Sequence, residues 1–566
     1  MNRAKDVYNV CDLMPPRDTS GDIKIVMLPM RDGVKLQTII YFPRDFKGKA
    51  GVMLVRTPYT RTTEMCLAPF DVNKLKVIAI MQACRGTGWS EGVFDPADPD
   101  TERQDAEDLF SWLNGQPWYN GRCVMAGASY PGWVQWCAMA AANNTLTATA
   151  PHVAPVYGCR GSARPGGSVR FSFTLCWLLT MYHRRKYGYG NVPDYQQMGL
   201  LKKLPVIDAD LHARYPELPF FRRFFSAALE PAKLLFSHRE TFSRYTCPAY
   251  ISGGWFDPFK SETLESFQLM KSSAATLEAR NFTRLVIGPW GHGGLLNPDV
   301  FGSSCDYRHL DKWRSRFLTG LLKAPHRDPL AGEPVVRYYM LCENRWYEDA
   351  SWPPERAGER CFYLHSGGKA NSLYGDGRIS EEKPGSEPAD VYISDPNDPV
   401  LSDAGTHECI GCHDRSGSQK RSDVLVYTTE KFSSPLTVTG KISLRFTASV
   451  STPDTDFAAT LSYVTPEGKA MLLTTGMLRA RFRNIEKEEL LLPGELYEFE
   501  IDLSHIAFKI LPGYALRLEL CGQHFPAYER NANSGGPLLQ DTELFLSRHT
   551  IYHDAEHPAV LTLPCW

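Results

Sequence analysis

Short apolar runs alternate with helical patterns through the first half of the chain. Ile23 to Met30 and Gln37 to Phe42 read as strands around an Asp32-Gly33 turn. Val52 to Val55 and Val77 to Met81 are compact apolar runs, as in strands buried on both faces. From Glu102 to Asn114 the apolar residues Ala106, Leu109, Phe110 and Leu113 recur at i, i+3, i+4 and i+7, one face of a helix. Cys123 to Ala126 is another buried-strand run, followed by Gly127 and a helical stretch from about Gly132 to Ala142. Strand–helix–strand alternation predicts a parallel sheet with helices on its faces.

The rhythm breaks between about 153 and 245. This stretch is rich in aromatics and Arg, with helical patches and no clear strand: Phe171, Phe173, Trp177, Tyr182, Tyr187 and Tyr189, then Phe220, Phe221, Phe224 and Phe225. It reads as a helical insertion. Strand patterns resume at Pro248 to Ser252 and Arg284 to Ile287. After about 333 the period becomes two, as at Ile442, Leu444, Phe446, Ala448 and Val450, and at Leu516, Leu518 and Leu520. Turn signals such as Pro466-Glu467-Gly468 and Pro512-Gly513 separate the runs, which predicts a sandwich or jelly roll. Gly367 to Gln419, rich in Gly, Ser, Asp and Pro, reads as long loops or a surface linker. The expected division is a sheet-and-helix core over 1–152 and 246–332, a helical cap over 153–245, and a β-rich domain over 333–566.

Composition narrows the class. The 566 residues are 43% hydrophobic and 22% charged, with net charge −2, ordinary values for a globular chain. Near-neutrality gives no global attraction to nucleic acid or to an anionic membrane, and neither is expected as a partner. The most apolar run, Phe171 to Tyr182, falls short of the about 20 residues of a membrane span and reads as a buried helix. Met1-Asn2-Arg3-Ala4-Lys5-Asp6 is followed by no apolar region, so a secretory signal is not expected. Fifteen scattered cysteines, an odd number, fit reduced thiols in a cytoplasm better than a disulfide framework.

The strongest chemical signal is Gly127-Ala128-Ser129-Tyr130-Pro131-Gly132. A serine on a tight strand-to-helix turn projects its hydroxyl at the end of a parallel sheet, and the helix N-terminus supplies N–H donors for an oxyanion. The usual elbow has glycine two residues after the serine; here Pro131 stands there and Gly132 follows. The alternative reading is an ordinary glycine turn. A nucleophilic serine needs a base and an orienting acid, in the order serine, acid, histidine, each after a strand. Asp257 follows the run Pro248 to Gly254, and His292 follows Arg284 to Ile287. Taken singly, Asp257 could be a turn aspartate before Pro258 and His292 a loop histidine. Order and strand context together favour a triad.

These residues resemble the X-prolyl dipeptidyl aminopeptidase/cocaine esterase (CocE/NonD-type) group of serine hydrolases. The resemblance is carried by Arg31-Asp32-Gly33-Val34, Arg56-Thr57-Pro58-Tyr59, Arg85-Gly86-Thr87-Gly88-Trp89-Ser90-Glu91-Gly92 and Gln116-Pro117-Trp118-Tyr119-Asn120-Gly121. The serine turn, Gly254-Trp255-Phe256-Asp257 and Gly288-Pro289-Trp290-Gly291-His292 follow in family order, then Arg421-Ser422-Asp423-Val424-Leu425 and Asp454-Thr455-Asp456-Phe457. The resemblance implies an α/β-hydrolase core, an inserted helical cap and a C-terminal jelly roll of the galactose-binding-like kind. It implies Ser129 as nucleophile, His292 as base and Asp257 as orienter. It also implies an oxyanion hole made by the Tyr130 backbone N–H and the Tyr59 hydroxyl. From the residues alone, Tyr59 reads as a core aromatic. No cofactor is implied. Some members of the group are dimers or larger, and a homodimer stays open here.

The expected activity is cleavage of a small-molecule carboxylic ester or amide through an acyl-enzyme. The alternatives are acyl transfer to a non-water acceptor, an X-prolyl or aminoacyl peptidase, and a carbohydrate- or partner-binding protein without activity. Members that take α-amino acyl groups hold the ammonium with acidic residues near the site. Here Pro258, Phe259 and Lys260 follow Asp257, which weighs against that class. Phe259 and Trp177 are expected to line an apolar acyl pocket. His407, Cys409, Cys412 and His413 have the residue types of a zinc set, but the spacing is crowded and no second pair lies nearby, so a loop is expected and no metal. His183-Arg184-Arg185-Lys186 reads as a solvated face rather than a carboxylate site.

Overall fold

The computed structural model describes residues 21–59, 72–96, 98–141, 145–156, 163–187, 199–216, 218–227, 239–293, 298–302, 305, 308–402, 411–484 and 487–566. Two sheets organise it. The first has ten strands: β1 (Ile23–Pro29), β2 (Lys35–Tyr41), β3 (Ala50–Thr57), β4 (Ile78–Ala83), β5 (Tyr119–Ala128), β6 (Leu146–His152), β7 (Tyr250–Phe256), β8 (Arg284–Gly291), β9 (Val336–Met340) and β10 (Arg345–Asp349). Their spatial order is β1-β2-β4-β3-β5-β6-β7-β8-β9-β10. β2 pairs antiparallel with β1 and β4, whereas β4, β3 and β5 through β9 run parallel. Every residue of β3, β4 and β8 is buried, as their unbroken apolar runs predict for strands covered on both faces.

The helix expected from Glu102 is α1 (Pro99–Asn114). It starts three residues earlier because the Asp98 carboxylate accepts the Thr101 N–H at 3.1 Å and Pro99 occupies the first turn, where its missing N–H costs nothing. Its predicted face, Ala106, Leu109, Phe110 and Leu113, is fully buried. The turn after β5 leads into α2 (Tyr130–Met139), whose residues are all buried. Among the described residues between β6 and β7 there are helices and no strand. The longest, α3 (Phe171–Tyr187), contains the apolar run that is too short to span a bilayer. It buries Leu175, Leu178 and Leu179 with Phe221, Phe224 and Phe225, and Phe525 and Leu539 of the C-terminal part close the same cluster. No helix among the described residues is long and apolar enough to cross a membrane.

The second sheet has eleven strands, mostly antiparallel. In its strand Leu436–Val450, residues Ile442, Leu444, Phe446, Ala448 and Val450 face inward, as their alternation predicts. Two expectations need correction. The first sheet does not end before 333: β9 pairs with β8 and β10 with β9, so the core sheet runs on to Asp349. Period-two strands look alike whichever sheet they join, and only the pairing partner separates them. Likewise, Gly367 to Gln419 is not loop throughout, since it contributes the short strands Arg378–Ser380 and Asp390–Ser394.

Candidate active site

β3, β5, β7 and β8 end at the same edge of the sheet, and each is followed by a residue singled out in the sequence. Ser129 sits between β5 and α2 with φ 62° and ψ −126°, a conformation that L residues rarely adopt. The turn is held from outside: the Ser129 N–H donates to the His152 carbonyl at the end of β6, at 2.9 Å. It is also crowded. A Cβ on Gly127 would meet the Pro131 Cβ at 2.5 Å, and one on Gly132 would meet the Ala154 Cβ at 2.5 Å. This accounts for the unusual Pro131. Its ring packs over Gly127, and proline is tolerated in the first turn of α2 because no acceptor exists there for its N–H.

The three candidate triad residues are brought together from sequence separations of 163 and 35 residues. His292 Nε2 lies 2.9 Å from Ser129 Oγ, and its Nδ1 lies 2.7 Å from Asp257 Oδ2. The other Asp257 oxygen accepts the Phe259 N–H at 2.8 Å, and the side chain is fully buried. The loop carrying Asp257 is clamped from two sides. Arg170 of the cap donates to the Pro258 carbonyl at 2.5 Å. From the C-terminal sheet, Thr474 accepts from Lys260 Nζ at 2.8 Å, and Ser504 Oγ meets Ser261 Oγ at 2.6 Å. Burial pushes the Lys260 amine, bonded to Thr474, down to about 7.

Aromatic rings enclose the histidine. Phe259 packs edge-on against His292 at 5.4 Å, and so does Phe173 of α3 at 5.3 Å. Phe173 is a site residue that the sequence shows only as one aromatic among many. Trp177, the other residue expected in the acyl pocket, donates from its indole N–H to the Tyr59 hydroxyl at 3.0 Å. Its ring stacks on Tyr130 at 6.0 Å, and Phe94 packs against both. Tyr59 is buried and lies two residues beyond β3, with its N–H on Thr57 Oγ1 at 3.0 Å. An indole donor on the phenol oxygen orients that phenol to give its own proton elsewhere. The Tyr130 N–H is at the first position of α2, where no intrahelical acceptor exists.

The remaining candidates lie apart. His407 and Cys409 fall outside the described residues. Cys412 is buried with its sulfur 4.0 Å from the Tyr463 hydroxyl, and burial pushes its thiol up to about 12. His413 bonds the Gly411 carbonyl at 3.0 Å. Among the described residues no group of three or more His, Cys, Asp or Glu side chains could hold a metal ion. His183 meets the Tyr215 hydroxyl at 2.9 Å, and the side chains of Arg185 and Lys186 lie outside the described residues.

A serine turn, a histidine and a buried aspartate in this strand order define the class: an enzyme, a serine hydrolase of the α/β-hydrolase fold. Residues 32–294 match the X-Pro dipeptidyl-peptidase (S15) family, and residues 330–562 match the X-Pro dipeptidyl-peptidase C-terminal non-catalytic domain. A cocaine esterase from a Rhodococcus species is 32% identical, over 95% of this chain and 97% of that protein. The chain therefore belongs to the X-prolyl dipeptidyl peptidase/cocaine esterase family of serine hydrolases. The fold is shared with an α-amino acid ester hydrolase (TM-score 0.81, 23% identity, 98% of each chain). It is shared also with a CocE/NonD family hydrolase of Staphylococcus aureus (TM-score 0.68, 17% identity, 98% of each chain).

Proposed function

We propose that this serine hydrolase cleaves a carboxylic ester of apolar acyl character through an acyl-enzyme on Ser129. The observation that carries the reading is the unbroken hydrogen-bond path from Asp257 through His292 to Ser129. His292 Nε2 takes the hydroxyl proton as Ser129 Oγ attacks the carbonyl carbon. Asp257 accepts the Nδ1–H, which fixes the tautomer and stabilises the imidazolium. The Tyr130 N–H and the Tyr59 O–H stabilise the oxyanion. His292 then protonates the leaving alcohol, and water repeats the cycle on the acyl-enzyme.

The acyl preference is supported by the rings of Phe259 and Phe173 beside His292. Described cysteines such as Cys84, Cys123, Cys247 and Cys521 are free thiols, which supports action in a reducing compartment such as the cytoplasm. The test is labelling of the intact protein with a fluorophosphonate, read by mass spectrometry beside Ser129→Ala and a panel of p-nitrophenyl esters. One adduct on Ser129, lost in Ser129→Ala, is expected. A folded wild-type protein that takes no adduct overturns the reading. Tyr59→Phe is expected to lower kcat by about 10²–10³-fold, the usual loss for one oxyanion donor.

A further inference from the structure

Beneath the serine turn lies a chain of buried charges that the mechanism above does not use. Arg56, the last residue but one of β3, is completely buried. Its Nε donates to Gln82 Oε1 at 2.9 Å and its Nη1 to the Glu102 carbonyl at 2.8 Å. Its Nη2 lies 2.9 Å from Glu102 Oε2. The other Glu102 oxygen, Oε1, accepts the Tyr130 phenol at 2.9 Å. Outward from there, Asp105 binds Arg85 at 2.6 Å, and Arg85 reaches Asp32 at 2.6 Å near the surface. Four of the sequence motifs thus supply one ion chain that ends on the residue after Ser129.

Stability alone does not account for it. Taking Arg56 and Glu102 out of water costs several kcal/mol per ion, and well-packed apolar residues of the same volume commonly serve stability as well. What the carboxylate adds is direction: Oε1 holds the Tyr130 phenol by a hydrogen bond, and Oε2 holds the Arg56 guanidinium by ion-pair contact. The two donors fixed here belong to the two segments that carry the oxyanion donors. Tyr130 bears one of them on its own backbone, and its ring is wedged against Trp133 at 4.9 Å and Phe94 at 5.6 Å. Arg56 stands three residues before Tyr59, across a turn closed by the Tyr59 N–H on Thr57.

We infer that Glu102 is a positioning residue of the oxyanion hole, a buried carboxylate that locks the Tyr130 segment to the Arg56–Tyr59 segment. The inference rests on the proposed role of Tyr59 and Tyr130, and its test separates the two. Tyr130→Phe removes only the phenolic O–H and keeps the ring and the backbone N–H. Its kcat on a p-nitrophenyl ester is expected to fall about tenfold or more with KM little changed, since sub-ångström misplacement acts on the transition state. Glu102→Gln keeps the shape and one acceptor but loses the charge for Arg56, and is expected to lose kcat similarly. The double variant Glu102→Gln/Tyr130→Phe should lose no more than the worse single variant, because both cut one tie. Should Glu102→Gln fail to fold, the inference is tested by Tyr130→Phe with its thermal midpoint. Tyr130→Phe with wild-type kcat beside a slow Tyr59→Phe overturns the positioning role and leaves the oxyanion reading standing. Tyr59→Phe at the wild-type rate overturns both. Loss of kcat in Tyr130→Phe only in step with loss of folded protein also overturns it, since that is the signature of structural support alone.

Discussion

Adding one methyl group at Gly132 isolates packing from every other property of the nucleophile turn. Gly132 lies within α2 and has no positive φ, so alanine meets no backbone penalty there. Helix propensity favours the change by up to about 1 kcal/mol. Against this, the new Cβ falls 2.5 Å from the Ala154 Cβ, 0.9 Å inside the 3.4 Å where ordinary contact begins. Its next neighbours are the His152 carbonyl oxygen at 3.3 Å and the Gly127 carbonyl oxygen at 3.4 Å. None of these atoms can rotate away, and the His152 carbonyl also holds the Ser129 N–H. The overlap is relieved only by moving the turn. Overpacking a tight site costs about 1–3 kcal/mol, and moving a reacting group by about 1 Å costs about 10²-fold in rate. Gly132→Ala is therefore expected to lose about 10–100-fold in kcat on a p-nitrophenyl ester and to melt at a lower temperature by circular dichroism. Gly132→Ala/Ala154→Gly should recover most of both losses, because the 2.5 Å neighbour is gone. Gly121→Ala is the control, with φ +86° and no atom within 4 Å of the added Cβ, so only the backbone cost of about 1 kcal/mol applies and kcat should hold. A double variant no better than Gly132→Ala would refute the packing argument, as would Gly132→Ala with wild-type kcat and midpoint.

Two further outcomes concern buried charge. Arg56→Ala leaves the Glu102 carboxylate buried without its cation, so urea denaturation should show about 3–5 kcal/mol less stability; an unchanged midpoint would contradict a true buried pair. In the C-terminal sheet, His553 Nε2 lies 3.0 Å from Asp390 Oδ2 and its Nδ1 lies 3.3 Å from Glu387 Oε2. Burial works against the imidazolium, but the two carboxylates outweigh it and hold His553 above its ordinary 6.5. A raised folded value makes this stabilisation complete below pH 6.5 and lost as pH rises through the folded value. The thermal midpoint should thus fall as pH rises above 6.5 through the folded value, and His553→Gln should start lower and show a shallower fall. An identical slope in His553→Gln would count against it.

Much of this was legible because it depends on neighbours in the chain. The all-apolar runs at Val52 and Val77, the period of α1 and the alternation from Ile442 each follow from which faces must be buried, and each element lies where its pattern ends or within a few residues of it. The serine turn is legible in part for the same reason, since Gly127 is crowded by Pro131 within the turn, whereas Gly132 is crowded by Ala154 from the segment after β6. Arg56 carried a local signal too: a guanidinium directly after a buried-strand run must find a buried anion. Which anion it finds was not legible, because Glu102 is 46 residues away on a helix whose other polar residues look alike.

Tertiary structure alone decided the rest. It added β9 and β10 to the first sheet, brought Phe173 of the cap against His292, and set the Trp177 indole N–H on the Tyr59 hydroxyl. It also fastened the Asp257 loop to Arg170 on one side and to Thr474 and Ser504 on the other. Each of these is a contact between segments far apart in sequence, chosen by the shape and polarity of both partners at once. The order of the chain by itself determined the elements and the chemistry they could carry; their mutual packing decided which side chains hold that chemistry in place.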